Sequence, residues 1–358
     1  MNGTRLARVL EHMARQGLSQ IVVTSTASVY YLTGYWVEPM ERMLALYLRD
    51  DGTRTLYANE LFGLAPQPGL ELELHRDGDD PAAALAAALR PGTLGVDKAW
   101  PSKFLISLLG LRPDVAPVPG SAPVDEARRI KDADEIAAMR AASQINDQVM
   151  AAAVAALGEG AVEAEIAALV EAQYRAHGGE RSSEGVIVSF GPNGADPHHA
   201  PGRTALREGD SVVLDLFTPI RRYWCDMTRT VFFRSADGEG RRVYEAVRAA
   251  NLAAEAVIRP GVPMCDIDRA ARRVIEDAGY GPYFTHRLGH GCGLDCHEPP
   301  DNSAACRQPA EPGMVFSVEP GIYLPGRLGV RIEDLVLVTP DGCEVLNAET
   351  KDLRVAGL

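Results

Sequence analysis

The chain has 358 residues, of which 46% are hydrophobic and 24% are charged. This composition excludes an intrinsically disordered chain, and the length allows two domains with buried cores. The 49 acidic residues outnumber the 36 basic ones, giving a formal net charge of −13. That balance argues against general binding to nucleic acid or to anionic membranes.

The sequence carries no clear membrane or export signal. Its longest helical apolar run covers residues 149–157, far fewer than the ~20 residues that span a bilayer. The N-terminus leads into a charged, amphipathic segment instead of the apolar core of a signal peptide. We therefore expect a cytoplasmic protein without a transmembrane helix.

The cysteines do not form the dense pattern of a small disulfide-stabilised protein, so we expect free thiols. Cys292 and Cys296 are flanked by His290 and His297. Their C-x-x-x-C spacing, with no second pair nearby, argues against a structural zinc site. The six cysteines are Cys225, Cys265, Cys292, Cys296, Cys306 and Cys343.

The first 120 residues alternate between helical and strand patterns, which predicts a compact α/β unit. Residues 50–52, Asp-Asp-Gly, predict a hairpin turn. The segment 113–123 is rich in turn formers, so we place a domain boundary between residues 122 and 123. Predicted helices cover residues 3–17, 81–89 and 102–110, and predicted strands cover 20–24, 28–33, 43–49, 53–58 and 94–97.

Residues 123–358 form the second predicted domain. The pattern over residues 124–157 predicts one long helix, and a second helix follows the glycines at 158–160. Strand patterns dominate after residue 184. Two further helices are predicted near residues 239–258 and 266–278, the latter capped by Asp266.

Two β-rich runs, separated by a turn between Ile220 and Arg221, predict a hairpin that places Asp215 opposite Asp226. Two facing carboxylates repel each other, so a positive group is expected between them. The alternative is a shifted register that exposes one aspartate to water.

A second pair of acidic residues repeats this arrangement. Residues 315–319 and 330–338 are two apolar runs, and Glu319 and Glu333 are symmetric about Gly326 in the connecting loop. Between the two hairpins lies a glycine-interrupted, histidine-rich segment, residues 285–298. Several histidines interleaved with four carboxylates in strands predict a metal site.

The charge of such a site indicates two divalent ions. Four carboxylates and one neutral imidazole carry −4, which two M²⁺ ions neutralise. Oxygen donors with one imidazole suit Mn²⁺, and Co²⁺, Zn²⁺ and Fe²⁺ stay possible. A thermolysin-type H-E-x-x-H site is excluded, because residue 287 between His286 and His290 is arginine.

These motifs resemble those of the pita-bread metallopeptidases, in particular the Xaa-Pro dipeptidase (prolidase) and aminopeptidase P branch. The resemblance rests on residues 31–35 (YLTGY), residues 129–136 (RIKDADEI) and five metal-ligand motifs in order across residues 215–333. It implies an α+β protein: a C-terminal pita-bread catalytic domain, residues 123–358, and a smaller creatinase-like α/β domain, residues 1–122.

The resemblance also implies roles for individual residues. A hydroxide that bridges two metal ions would attack the scissile carbonyl, and Glu319 would shuttle its proton. His198 would contact the leaving nitrogen and His297 would stabilise the oxyanion, whereas His199 is expected to have no catalytic role. His286 and Arg331 match substrate-binding positions. The implied metal ligands are Asp215, Asp226, His290, Glu319 and Glu333, with Asp226 and Glu333 bridging both ions.

We therefore predict a Mn²⁺-dependent exopeptidase that cleaves small Xaa-Pro peptides, most simply a prolidase. Aminopeptidase P, a hydrolase of small non-peptide amides, and a metal-free scaffold of the same fold are the alternatives. The resemblance implies a homodimer. In such a dimer Glu38, Glu41 or Arg42 would read a substrate terminus in the partner's active site.

Overall fold

The computed structural model describes residues 3–180 and 185–357. The chain divides into two compact units, one ending at Arg128 and the other beginning at Arg129. This division falls a few residues after the boundary predicted at 122/123, at the end of a short helix, Ala122–Arg129.

The N-terminal unit is built on a six-stranded mixed sheet. Its strands are β1 (Gln20–Val23), β2 (Ala45–Arg49), β3 (Arg54–Asn59), β4 (Glu71–His75), β5 (Gly92–Val96) and β6 (Val115–Pro119). They lie in the order β4-β3-β2-β1-β5-β6. Its helices are α1 (Gly3–Arg15), α2 (Thr26–Thr33), α3 (Pro81–Ala88), α4 (Ser102–Leu111) and α5 (Ala122–Arg129).

Most predicted elements of this unit are confirmed, including the turn at 50–52, where Gly52 has φ +82° and donates to the Arg49 carbonyl. The strand predicted at 28–33 is wrong, because these residues form helix α2. That helix is buried on nearly every side, so it has no polar stripe to reveal a helical period. The sequence also missed β4 and β6, which are edge strands with mostly exposed or partly exposed side chains.

The C-terminal unit packs helices on two sheets. The sheets have the orders β17-β9-β8-β7 and β11-β10-β12-β15-β16, beside a β13-β14 ribbon. The helices are α6 (Ala133–Ala155), α7 (Glu163–Ala176), α8 (Gly238–Val257) and α9 (Met264–Asp277). The strands are β7 (Ile187–Phe190), β8 (Ser211–Ile220), β9 (Tyr223–Phe233), β10 (Gly289–Gly291), β11 (Glu298–Asn302), β12 (Val315–Val318), β13 (Gly321–Leu324), β14 (Leu328–Arg331), β15 (Asp334–Val338), β16 (Cys343–Val345) and β17 (Val355–Ala356).

Each sheet has its own apolar core with its own pair of helices. Val149 and Val170 from α6 and α7 pack in the same cluster as Leu214 of β8. Val247 and Ile267 from α8 and α9 pack with Phe316 of β12. The two cores hold the strands that carry the acidic pairs in fixed positions.

Two helix predictions in this unit are wrong. The single helix predicted over 124–157 is broken between α5 and α6, because Asp132 and Glu135 form a reciprocal capping box that starts a new helix. Asp266 does not cap α9, which begins at Met264 after Pro263.

Across residues 3–180 and 185–357 no helix has both the length and the apolar character that a bilayer crossing demands.

Candidate metal centre

The first acidic pair lies on the β8-β9 hairpin, but in a different register from the predicted one. Asp215 pairs with Thr228 and Asp226 pairs with Phe217, so the two aspartates are diagonal neighbours and not directly opposite. The turn is centred on residues 221–222, both with positive φ. Because side chains alternate with a period of two, this shift still leaves both aspartates on one face of the sheet.

The second acidic pair lies where a hairpin changes partner. Strands β12 and β15, and then β13 and β14, pair with one common register centred on Gly326, which confirms the predicted symmetry. Each strand is interrupted at its glutamate, so the two predicted strands are four. Pro320 has no N–H for a ladder hydrogen bond, and the N–H groups of Glu319 and Glu333 donate instead to Leu288 and Thr228.

His290 reaches the same place from β10, a strand that depends on its glycines. A Cβ atom at Gly289 would collide with the Ser317 carbonyl oxygen, and one at Gly291 would collide with that of Pro299. The backbone N–H of His290 donates to Ser317 Oγ at 3.0 Å, and that hydroxyl donates to Glu319 Oε1 at 3.1 Å. One serine hydroxyl therefore links two predicted ligands.

The structure brings the predicted ligands together at the wall of one cavity. Asp226, His290 and Glu333 each offer a ligand atom, and these atoms lie within 4.8 Å of one another. His290 Nε2 is 3.3 Å from Glu319 Oε1. Asp215 lines the same cavity. Its Oδ2 accepts from Arg331 at 2.7 Å, whereas its buried Oδ1 has no hydrogen-bond partner among the described residues.

This donor set fits divalent metal ions. Asp215, Asp226, His290 and Glu333 are only 2–8% exposed, and unpaired buried carboxylates are costly unless a cation compensates them. The unpartnered Oδ1 of Asp215 offers a free lone pair for such a cation. Oxygen donors with one imidazole are typical ligands of Mn²⁺ and related ions.

The shifted pKa values of the site also indicate that it is built to hold positive charge. Burial, together with the neighbouring carboxylates, raises the pKa of Asp226 and of Glu333 well above the usual values. Burial opposes ionisation of Glu319 and His290 as well, but their mutual hydrogen bond outweighs it. The pKa of Glu319 falls to about 2 and that of His290 rises to about 9. Without a metal, the raised pKa values of Asp226, Glu333 and His290 therefore favour the protonated forms of these three side chains.

The predicted catalytic and substrate-binding residues line the same cavity, which has a volume of about 940 Å³. The rings of His297 and His290 are 4.1 Å apart. Partial burial, followed by the charges of His290 and Arg287, lowers the pKa of His297 to about 4. His198 is exposed on a turn next to the cavity.

Arg331 and His286 meet at one tyrosine. Arg331 donates to Tyr323 Oη at 2.9 Å and to Thr228 Oγ1 at 3.1 Å, besides Asp215. His286 Nε2 lies 2.8 Å from the same Tyr323 Oη, and burial lowers the pKa of His286. Tyr323 and Thr228 were not predicted from the sequence. Thr228 could have been found as the residue two positions after Asp226, on the same strand face.

His199 also has a partner that the sequence analysis missed. Its Nε2 lies 3.0 Å from Glu163 Oε2, and it lines the cavity beside His198. Residues 196–199 form a turn, and both histidines of this turn line the cavity. The thiols of Cys292 and Cys296 point to separate acceptors, the Trp224 carbonyl and Asp226 Oδ2, and the six cysteines, which all lie in the described part of the chain, form no disulfide.

Comparison with known proteins places this fold and site in a defined class. Residues 5–130 match the creatinase/prolidase N-terminal domain, and residues 137–340 match metallopeptidase family M24. The protein is a metallopeptidase, and the chain belongs to family M24. The predicted α+β fold, the pita-bread resemblance and the enzyme class are confirmed.

Relatives match over almost the full length of the chain. An uncharacterized peptidase of Staphylococcus aureus (strain USA300) is 35% identical over 354 residues, 96% of this chain and 98% of the relative. The dipeptidase PepE from Mycobacterium ulcerans is 36% identical, with a TM-score of 0.92 over 99% of this chain and 98% of that one. A prolidase from Thermococcus sibiricus is 34% identical, with a TM-score of 0.94 over 99% of both chains.

Proposed function

We propose that this chain is an Xaa-Pro dipeptidase (prolidase) with a dinuclear metal centre. The observation that carries the proposal is the convergence of four carboxylates and one imidazole on one cavity that also holds four further histidines and Arg331. The similarity to a dipeptidase and to a prolidase over the full chain supports the substrate class. Proline's imide lacks an N–H, so its hydrolysis calls for a dedicated site.

Five residues would hold the two ions. The ligands are Asp215, Asp226, His290, Glu319 and Glu333, and Mn²⁺ suits them best, with Co²⁺, Zn²⁺ and Fe²⁺ as alternatives. When bound, such ions lower the pKa of a coordinated water to near neutrality and polarise the scissile carbonyl.

The chain's own residues supply proton transfer and charge stabilisation. Glu319, whose pKa is about 2 beside His290, is ionised at neutral pH and can accept the proton of the attacking water and pass it to the leaving nitrogen. His297, with a pKa of about 4, is neutral and can donate an N–H to the developing oxyanion. His198 would contact the leaving nitrogen from its exposed turn at the cavity.

Substrate binding falls to His286 and Arg331. Both contact the hydroxyl of Tyr323, which fixes their orientation toward the cavity. A fixed cationic side chain in this position suits the free carboxylate of a dipeptide's proline.

The size of the cavity supports aminopeptidase P as an alternative to prolidase. About 940 Å³ is at the upper end of the range for small-ligand sites, so the cavity has room for a peptide longer than a dipeptide. An aminopeptidase P activity is therefore the second candidate.

The cytoplasmic location, the homodimer and the role of Glu38, Glu41 and Arg42 in a partner's site stay predictions.

A panel of four peptides tests the proposal: Ala-Pro, Met-Pro, Ala-Pro-Ala and Ala-Ala, each with metal-stripped protein before and after addition of Mn²⁺. A prolidase cleaves Ala-Pro and Met-Pro only, and only with metal. Cleavage of Ala-Pro-Ala would assign aminopeptidase P instead. No cleavage of any peptide, with metal bound, would contradict both and direct the search to small non-peptide amides.

A further inference from the structure

Two backbone carbonyl groups, those of Val318 and Ile332, lie at the break in the hairpin next to the second acidic pair. Val318 and Ile332 precede Glu319 and Glu333, the points at which the four strands change partner. Both residues are fully buried, so their carbonyl oxygens depend on partners within the protein. Whatever binds these two oxygens also holds the two glutamates next to them.

One side chain binds both oxygens. Asn251 lies in α8 and is fully buried. Its Nδ2 donates to the Val318 carbonyl at 2.9 Å and to the Ile332 carbonyl at 3.4 Å. A side-chain amide has two N–H groups, so this one Nδ2 can serve both strands.

The orientation of this amide is itself fixed. Lys351 Nζ donates to Asn251 Oδ1 at 2.7 Å. A flipped amide would place its nitrogen against the ammonium group and its oxygen against two carbonyl oxygens. Lys351 is held in turn by Glu255 Oε1 at 2.6 Å and by Asp334 Oδ2 at 2.9 Å.

We propose that Asn251 is a positioning residue for the metal centre. Its amide fixes the separation of the two backbone segments that carry Glu319 and Glu333, and Lys351 fixes the amide. The inference rests on the proposed function in one respect, namely that both glutamates are metal ligands. A group behind the ligands that is needed for their geometry changes metal affinity even though it never touches the ion.

Two variants of Asn251 separate positioning from general stability. Asn251→Leu keeps most of the volume and removes all hydrogen bonds. Asn251→Asp keeps the acceptor for Lys351 but replaces the donor nitrogen with a carboxylate oxygen, which repels the two carbonyl oxygens. The matched control is Gln20→Met in the N-terminal unit. The buried Gln20 amide likewise donates to two backbone carbonyls, those of Arg90 and Thr93, at 2.8 and 3.1 Å.

The measurement is calorimetric titration of metal-free protein with Mn²⁺, with circular dichroism and thermal unfolding as the check on folding. We expect both Asn251 variants to lose about tenfold in Mn²⁺ affinity for at least one ion. Gln20→Met is expected to lower the unfolding temperature and to leave the affinity unchanged. If Asn251→Leu does not fold, Asn251→Asp alone decides.

Wild-type affinity in a folded Asn251→Asp or Asn251→Leu protein would overturn the inference, and so would an equal loss of affinity in Gln20→Met. These results are distinct from a failure of the proposed function. If the wild-type protein binds Mn²⁺ and cleaves Ala-Pro while the variants bind Mn²⁺ equally well, only the positioning role fails. A wild-type protein that binds no divalent ion contradicts the proposed function and the inference with it.

Discussion

His290 and Glu319 form a largely buried pair, with the imidazole Nε2 3.3 Å from the carboxylate Oε1. In the metal-free protein this contact is an ion pair, because the pKa of His290 is raised to about 9 and that of Glu319 is lowered to about 2. A metal ion needs the imidazole in its neutral form. In the proposed metal centre His290 must therefore release this proton when an ion binds.

This exchange makes Mn²⁺ affinity depend on pH. At pH 6 His290 carries a proton that the metal must displace, whereas near pH 9 half of the protein molecules have already lost this proton. We therefore expect Mn²⁺ affinity to rise with pH between 6 and 8.5. The raised pKa values of Asp226 and Glu333 act in the same direction. Calorimetry at pH 7 in two buffers of different ionisation enthalpy will detect the proton release. An affinity that is the same at pH 6 and pH 8.5 would contradict this prediction.

The stability of the metal-free protein depends on pH through the same group. The folded-state pKa of His290 lies above its unfolded value of 6.5, so its stabilising contribution is complete below pH 6.5 and is lost as the pH rises toward 9. We expect the unfolding temperature without metal to fall over this range and the increase produced by Mn²⁺ to grow. Scanning calorimetry of the wild type measures both. Glu319→Gln, which removes the partner of His290, serves as the control and should show a flatter dependence.

Thr228 contacts the proposed metal ligand Glu333: its hydroxyl donates to Glu333 Oε2 at 2.6 Å and accepts from Arg331 Nε at 3.1 Å. Thr228→Val keeps the shape but leaves both groups without this partner. We expect a loss of 10- to 100-fold in metal affinity or in kcat, the usual range for such supporting contacts. Thr228→Ser restores the hydroxyl and should recover most of the loss. Equal defects in the two variants would assign Thr228 a packing role only.

Arg229 is expected to stabilise the fold instead of taking part in metal binding. It is 1% exposed, pairs with Asp334 at 2.7 Å and donates to the backbone carbonyl of Glu333 at 2.6 Å. Arg229→Met removes one partner of a buried ion pair, so we expect a loss of about 3–5 kcal/mol in the free energy of unfolding.

The exposed pair of Arg234 and Glu159, at 2.9 Å, is the control for this comparison. Arg234→Met is expected to change the free energy of unfolding by no more than about 0.5 kcal/mol. Urea unfolding of both variants in the presence of Mn²⁺ measures the two values. Similar losses in the two variants would contradict the importance assigned to burial.

The sequence predicted the residues that meet at the site better than it predicted their pairing. The symmetry of Glu319 and Glu333 about Gly326 was correct, because a glycine loop fixes the hairpin centre. The facing of Asp215 and Asp226 was wrong, because the turn at 221–222 uses two arginines in positive φ, a conformation that residue type alone does not favour. The aspartates still share a face, since the error spans two residues.

Other features depend on tertiary contacts that a single sequence does not encode locally. Helix α2 is apolar on most sides because it is buried, so its residues predicted a strand. Tyr323 and Asn251 have no pattern that distinguishes them from ordinary polar residues. Their roles emerge only when distant segments meet, as in the contacts of Asn251 with two strands more than 60 residues away.

The most direct test of this account is the rate of Ala-Pro hydrolysis as Mn²⁺ is added stepwise to metal-stripped protein, for the wild type and for Asp226→Asn. We expect no hydrolysis without metal and activity that saturates at two ions per chain. A folded Asp226→Asn protein should keep less than ~1% of wild-type kcat, because losing a ligand exceeds the 10- to 100-fold cost of losing a supporting contact. Hydrolysis that is undiminished in the presence of chelator, or wild-type kcat in Asp226→Asn, would contradict these expectations.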